Sequence, residues 1–241
     1  MAQQSNSFWA GVRDGIPICL GYLSVAFAFG IFSVGQGLRI WEALLISMTN
    51  VTSAGQLAAV PIMVSGGTAV ELALTEFIIN LRYALMSVSL SQKLDGSVRT
   101  LDRMLIAFVN TDEVFAVASG KNGALGRRYL YGLILTPYLG WSAGSLLGAS
   151  AGNILPASLR SALGIAIYGM FVAIVVPPVK HSRPTASCVL TAGALSCAFH
   201  FLPVLRELSG GFVIILCGVA ASALAAALFP LDEEKERDEH A

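Results

Sequence analysis

Charge is scarce in this sequence. Asp, Glu, Lys and Arg make up 12% of it, against about 25% in an ordinary soluble domain, and they cluster, leaving long stretches with none. The net charge is zero and no basic stripe runs along the chain, so nothing points to nucleic acid. Cysteine is equally sparse. Cys19, Cys188, Cys197 and Cys217 all fall inside apolar runs, which predicts small buried hydrophobes and no disulfide framework. His181, His200 and His240 lack metal-ligand spacing. Cys197 and His200 share a helical face, but two ligands do not make a site, so neither metal nor cofactor is expected. The chain has no G-x-x-x-x-G-K-[ST], no H-E-x-x-H and no G-x-S-x-G, and therefore no ATP site or hydrolase centre of those kinds.

What fills the sequence is apolar surface: 55% of the residues are hydrophobic. About 20 apolar residues suffice to cross a bilayer as a helix, and up to eight such segments can be drawn, roughly 16–35, 43–64, 68–90, 104–119, 129–150, 161–179, 185–205 and 211–231. They do not alternate apolar and polar residues as barrel strands do. The expectation is an all-α polytopic membrane protein with about seven to eight transmembrane segments, one or more of them broken or re-entrant. Residues 1–231 read as a single transmembrane domain, and 232–241 as a short acidic tail without structure. The first run is too long for the apolar core of a cleaved signal, and no clear small-residue cleavage site follows it.

Orientation is read from the charges in the loops. With eight spans and the N-terminus inside, inner loops and tail hold Arg13, Lys121, Arg127, Arg128, Lys180, Arg183, Lys235 and Arg237. Outer loops hold Arg39, Lys93, Arg99, Arg103, Arg160 and Arg206. Cytoplasmic loops should be richer in Lys and Arg, so Lys93, Arg99 and Arg103 fall on the wrong side. One segment that does not span would change the count, and the candidates are the interrupted 43–64 and the short 104–119.

Three polar interruptions carry the functional reading. The first is NVTSAGQ, Asn50 to Gln56, with Pro61 beyond it. A helix can break at membrane depth only where the break is buried or lines a wet cavity, and transporters use such breaks as binding sites. Ser53, Ala54 and Gly55 would present amides at a new helix start, capped by Thr52 or Ser53, where an anionic group is favoured. Close helix packing through small residues is the competing reading. The second is NTDEVFAV, with Asn110, Thr111, Asp112 and Glu113 in a short segment. A carboxylate at bilayer depth costs on the order of 3 kcal/mol and marks a candidate site, unless this stretch is a solvated loop. The third is TEFIINLRYALMS, where Glu76, Asn80, Tyr83 and Ser87 share one helical face. Arg82 points elsewhere and needs a carboxylate from another segment, Asp112 or Glu113, or else snorkels at a helix end. A different feature is the stripe Gly140, Gly144, Gly148 and Gly152, which reads as a close helix contact.

Five stretches in order, FWAGVRDGIPICLGYLSVAFAFG (8–30), SAGQLAAV (53–60), NLRYALMSVSLS (80–91), NTDEVFAV (110–117) and YGMFVAIVVP (168–177), resemble the AzlC family over roughly residues 8–230. That family is the large subunit of two-part bacterial exporters of branched-chain amino acids. The resemblance implies multi-pass residence in the bacterial inner (cytoplasmic) membrane, and a small AzlD-type membrane subunit as partner. Two positions depart from the pattern: Leu57 stands where Phe often follows AGQ, and Tyr83 where His often follows NLR. A tyrosine cannot relay protons near neutral pH as a histidine could, which leaves Glu76 as a substitute.

The expected function is a secondary exporter of a branched-chain or similarly apolar amino acid. Its carboxylate would sit near Ser53 to Gly55 and its ammonium near Asp112 or Glu113. A membrane enzyme using Asp112 and Glu113 as acid and base, or a scaffold for the partner, is the alternative.

Overall fold

The computed structural model describes residues 6–152, 154–156, 158, 169, 172, 175–202 and 208–230. Among them the regular elements are all helices: α1 (Phe8–Gly35), α2 (Ile40–Thr49), α3 (Ser53–Val64), α4 (Ala69–Ser91), α5 (Thr100–Phe108), α6 (Asp112–Gly120), α7 (Arg127–Gly152), α8 (Arg183–Phe201) and α9 (Gly210–Leu228). The expected segment 161–179 lies mostly outside the described residues, as does the tail 232–241. Among the described residues, α1, α4 and α9 combine the length and hydropathy needed to cross a membrane.

Two expected segments are not single helices. Segment 43–64 is α2 and α3, with Asn50, Val51 and Thr52 extended or unwound between them. Segment 104–119 is replaced by α5 and α6, which reach back to Thr100 and are parted at Val109–Thr111. In the other direction, α1 starts eight residues before the expected Ile16: Ser7 Oγ accepts the Ala10 amide at 3.2 Å, and Pro17 lies within the helix.

The chain falls into two compact units, Met1–Gly66 with Ile79–Ile167, and Gly67–Ile78 with Tyr168–Ala241. The first is organised by α1 against α7. A Cβ added at Gly140 would lie 2.5 Å from the Cys19 carbonyl oxygen, and one at Gly144 2.5 Å from that of Leu23. At Gly148 it would overlap the Phe27 carbonyl. Each step of four along α7 meets a step of four along α1, so the two helices run parallel. Gly11, Gly15 and Gly30 of α1 answer with the same closeness to Tyr129, Leu133 and Ser145. Small residues on both faces let the axes approach until backbone touches backbone. The glycine stripe does what its spacing predicts.

At the end of this unit where α1 and α7 begin, several chain ends are tied together. Leu125 exchanges backbone hydrogen bonds with Lys93 and Asp95 at 2.8 and 2.9 Å. Asn6 Oδ1 accepts the Gly126 amide at 2.8 Å, and Ser97 Oγ accepts that of Arg127 at 3.0 Å. Asp102, in the first turn of α5, accepts the Arg99 amide at 2.8 Å and the Tyr131 hydroxyl at 2.5 Å. The far end of α6 returns to the same place: Lys121 pairs with Asp14 at 2.7 Å, and Lys93 Nζ donates to the Ser119 carbonyl. So α5 and α6 form a hairpin, each arm about 14 Å long, with its tip at Val109–Thr111.

In the second unit α8 packs on α9. Here Thr68 Oγ1 accepts the Glu71 amide at 3.1 Å, and Glu71 Oε1 accepts the Gly211 amide at 3.1 Å. The buried Glu71 thus serves the first turns of two helices, where a carboxylate is favoured. The cysteines are all free. Cys217 is buried and Cys19 and Cys188 partly so, but Cys197 is exposed, because α8 buries no residue among those described.

Candidate functional site

The two helix breaks meet. A cavity of about 180 Å³ in the first unit is lined by Thr49, Asn50, Val51 and Thr52 from one break and by Ala107, Phe108, Asn110 and Thr111 from the other. Asn80 and Tyr83 of α4 complete it. This explains the polar face of α4: Tyr83 Oη donates to Thr52 Oγ1 at 3.2 Å, and one turn further on Ser87 Oγ accepts from Asn110 Nδ2 at 3.1 Å. Tyr83 thus binds one break and Ser87 the other.

The breaks are held open by side chains from the central helices. Tyr138 of α7 donates its hydroxyl to the Met48 carbonyl at 3.1 Å, satisfying an acceptor that the end of α2 leaves without an intrahelical partner. Ser47 and Ser145 share a buried hydroxyl contact at 2.5 Å. On the other break, the Tyr22 hydroxyl of α1 touches both Thr111 Oγ1, at 2.6 Å, and the Glu113 carboxylate. A phenol has one proton, so it donates to the carboxylate and accepts from the threonine. Trp141 packs edge-on against the Tyr22 ring, with centroids 5.1 Å apart.

Asp112 is held differently. Its carboxylate pairs with Arg82 at 2.9 Å, with both side chains about half exposed. Arg82 also lies over the Tyr83 ring, 4.9 Å from its centroid, and donates to the Tyr83 hydroxyl at 3.3 Å. The adjacent acids therefore split: Asp112 faces α4 through Arg82, and Glu113 faces α1 through Tyr22. Neither carboxylate lines the cavity, but both sit in the first turn of α6 directly behind Thr111.

The two helix starts differ in charge. The first turn of α3 has no acid, and Thr52 occupies the cap position without a side-chain cap bond, since its hydroxyl is taken by Tyr83. The first turn of α6 has two acids. One start keeps the positive end of its dipole and the other is overcompensated. Beyond Thr52, the residues Ser53, Ala54, Gly55 and Gln56 form the first turn of α3 and do not line the cavity. Gln56 is fully buried, and neither its Oε1 nor its Nε2 has a hydrogen-bond partner. Leaving an amide so placed costs on the order of 2 kcal/mol or more. Glu76 is partly buried and is also absent from the cavity wall.

Sequence reasoning passed over Tyr22, Glu71, Ala107 and Phe108. For Tyr22 a signal existed, since it continues the spacing Gly11, Gly15, Ile18, Tyr22, Ala26 along the buried face of α1. A phenol among glycines and alanines needs a hydrogen-bond partner when buried.

A family model described as AzlC protein matches residues 17–155, which include both breaks and the α4 face. A membrane protein of Archaeoglobus fulgidus is 31% identical over 93% of this chain and 94% of its own length. The inner membrane protein YgaZ of Escherichia coli is 27% identical over 93% of each chain. A membrane protein of Helicobacter pylori is 24% identical over 60% of this chain and 65% of its own. No solved structure matches.

Proposed function

The chain belongs to the AzlC family of membrane proteins, and on that premise we propose that it is a secondary transporter exporting branched-chain or similarly apolar amino acids. It would act in the bacterial inner membrane with a small AzlD-type subunit and draw on an ion gradient. The observation that carries this reading is the meeting of two helix breaks at one cavity with opposite electrostatic character. A zwitterion fits that asymmetry. Its carboxylate is favoured at the bare start of α3, and its ammonium towards the start of α6 with Asp112 and Glu113. Val51, Ala107 and Phe108 offer apolar surface to an aliphatic side chain. Gln56, buried one turn behind the carboxylate position, has hydrogen bonds to give if the first turn of α3 shifts.

The chain directions support a topology in which both broken segments are re-entrant. A helix of 23 residues, α4, is about 35 Å long and crosses. It ends beside the start of α7, and α5 and α6 then leave from that end and return to it. Since α1 departs from the same end, the chain must begin α4 on the side where α1 finished, so α2 and α3 together make no net crossing. Among described residues of the first unit, the end where α1 and α7 begin then holds Arg13, Lys93, Arg99, Arg103, Lys121, Arg127 and Arg128, and the other end holds Arg39. The positive-inside rule makes the first end cytoplasmic, and Lys93, Arg99 and Arg103 no longer stand on the wrong side.

The test is efflux of labelled leucine and valine from membrane vesicles containing this chain with its small partner subunit. Saturable efflux that responds to collapse of the ion gradients supports the reading. Rates equal to those of empty vesicles for both amino acids would refute it.

A further inference from the structure

A second cavity, of about 110 Å³, adjoins the first. Its wall combines Arg103 with Leu90, Leu94 and Ile106, and it shares Ala107 and Asn110 with the cavity at the breaks. We propose that this is the cytoplasmic vestibule of the transport path, where Arg103 receives the carboxylate of an aliphatic amino acid before it passes Asn110. The proposal rests on the export reading for its substrate, and on geometry for its place.

Three observations converge. Arg103 makes no ion pair or side-chain hydrogen bond among the described residues, whereas Arg82 and Lys121 are each paired with an aspartate. A guanidinium offers a fork of N–H donors that matches a carboxylate. The remaining wall is largely aliphatic, which suits the side chain such a carboxylate would carry. The vestibule also lies at the end of the unit rich in lysine and arginine, next to the Leu94–Leu125 pairing, where cytoplasmic substrate would arrive.

Asn110 forms the partition. It is buried, its Nδ2 donates to Ser87 Oγ at 3.1 Å, and its Oδ1 has no partner. A buried amide oxygen without a donor is costly, and a passing ammonium group supplies one. Swinging the Asn110 side chain away from Ser87 would join the two cavities. The carboxylate would then leave Arg103 for the bare start of α3 as the ammonium passes Asn110.

The experiment uses thiol labelling of single-cysteine variants, with Cys19, Cys188, Cys197 and Cys217 replaced by Ser, in vesicles exposing the cytoplasmic face. With Leu94→Cys, an anionic sulfonatoethyl thiosulfonate should react faster than its cationic trimethylammonium counterpart, by about fivefold for each nearby positive charge, here Arg103 and the adjacent Lys93. Adding Arg103→Gln should lower that preference about fivefold and leave only the part due to Lys93. Leucine should slow the labelling in the Arg103 protein, and leucinamide, which lacks the carboxylate, should not. With Thr52→Cys, labelling from the same face should rise several-fold when Asn110→Ala or, independently, Ser87→Ala removes the partition, so a folding defect in one variant leaves the other to decide. Equal rates for the two reagents, a preference undiminished by Arg103→Gln, equal protection by leucinamide, or no protection by leucine would each overturn the proposal, even where leucine efflux is normal. Absent efflux with reagent preference and leucine protection intact would sink the export reading and leave this site standing.

Discussion

Gly148→Ala should damage this protein far more than Gly152→Ala, although the two glycines are one helical turn apart on the same stripe. At Gly148 a Cβ would overlap the Phe27 carbonyl oxygen and lie 2.7 and 2.8 Å from the Phe27 C and Cα. All three are backbone atoms of α1, so no rotamer change relieves the clash. The helices must separate by roughly an ångström, and that loosens the neighbouring contacts at Gly144 and Ser145. Overpacking of this kind costs about 1–3 kcal/mol, and the backbone partner places this case at the upper end. At Gly152 the nearest atom to the new Cβ is Ile31 Cα at 3.4 Å, an ordinary contact. At Gly21 nothing lies within 4 Å. Alanine is the better helix former by about 1 kcal/mol, so both of these variants should match or exceed the parent. The assay is the midpoint of thermal aggregation in detergent, read by size exclusion. A Gly148→Ala variant that melts with Gly152→Ala would refute the claim that α1 and α7 touch backbone to backbone.

Tyr22→Phe and Glu113→Ala remove the two ends of one hydrogen bond. Their effects on leucine efflux should be alike, and the double variant no worse than either alone, which a double-mutant cycle would read. Asp112→Asn should abolish efflux driven by a pH gradient while leaving the protein inserted, because it leaves Arg82 without its carboxylate in the first turn behind Thr111. Normal leucine export by this variant would remove Asp112 from the coupling. Asp102, at the loop end of α5, has its carboxyl held below the ordinary carboxylate range by the Tyr131 hydroxyl and the Arg99 amide. A depressed acid adds stability that is present above its unfolded pKa of about 4 and is lost as pH falls through the folded value. Tyr131→Phe should therefore flatten the loss of thermal stability on acidification below pH 4, and an unchanged acid profile would count against that bond.

What the sequence made legible was local. Asn50, Thr52 and Ser53 are polar enough, and short enough, to mark a break inside an oily run, and the four-residue glycine spacing names its own contact. Direction was not legible. Nothing in TLDRMLIAFVNTDEVFAVASG says that the chain turns back at Asn110, because the ties that return α6 to its starting side, Lys121 to Asp14 and Lys93 to Ser119, join residues distant in sequence. The same holds for Tyr22 and Glu71. Neither belongs to a motif, and only its partner, Glu113 in one case and the Gly211 amide in the other, shows what it does. The expected pairing of Arg82 with a carboxylate from another segment could be reasoned because a guanidinium always carries charge. Which of two adjacent acids it would find depended on the rotation of α6.

An experimental structure of this chain with its partner subunit and leucine would show where the substrate binds. Leucine should lie between the two helix breaks, its carboxylate on the first-turn amides of α3 beyond Thr52 and its ammonium on the Thr111 side. Leucine bound elsewhere, or in the reverse orientation with its carboxylate beside Asp112 and Glu113, would contradict that placement.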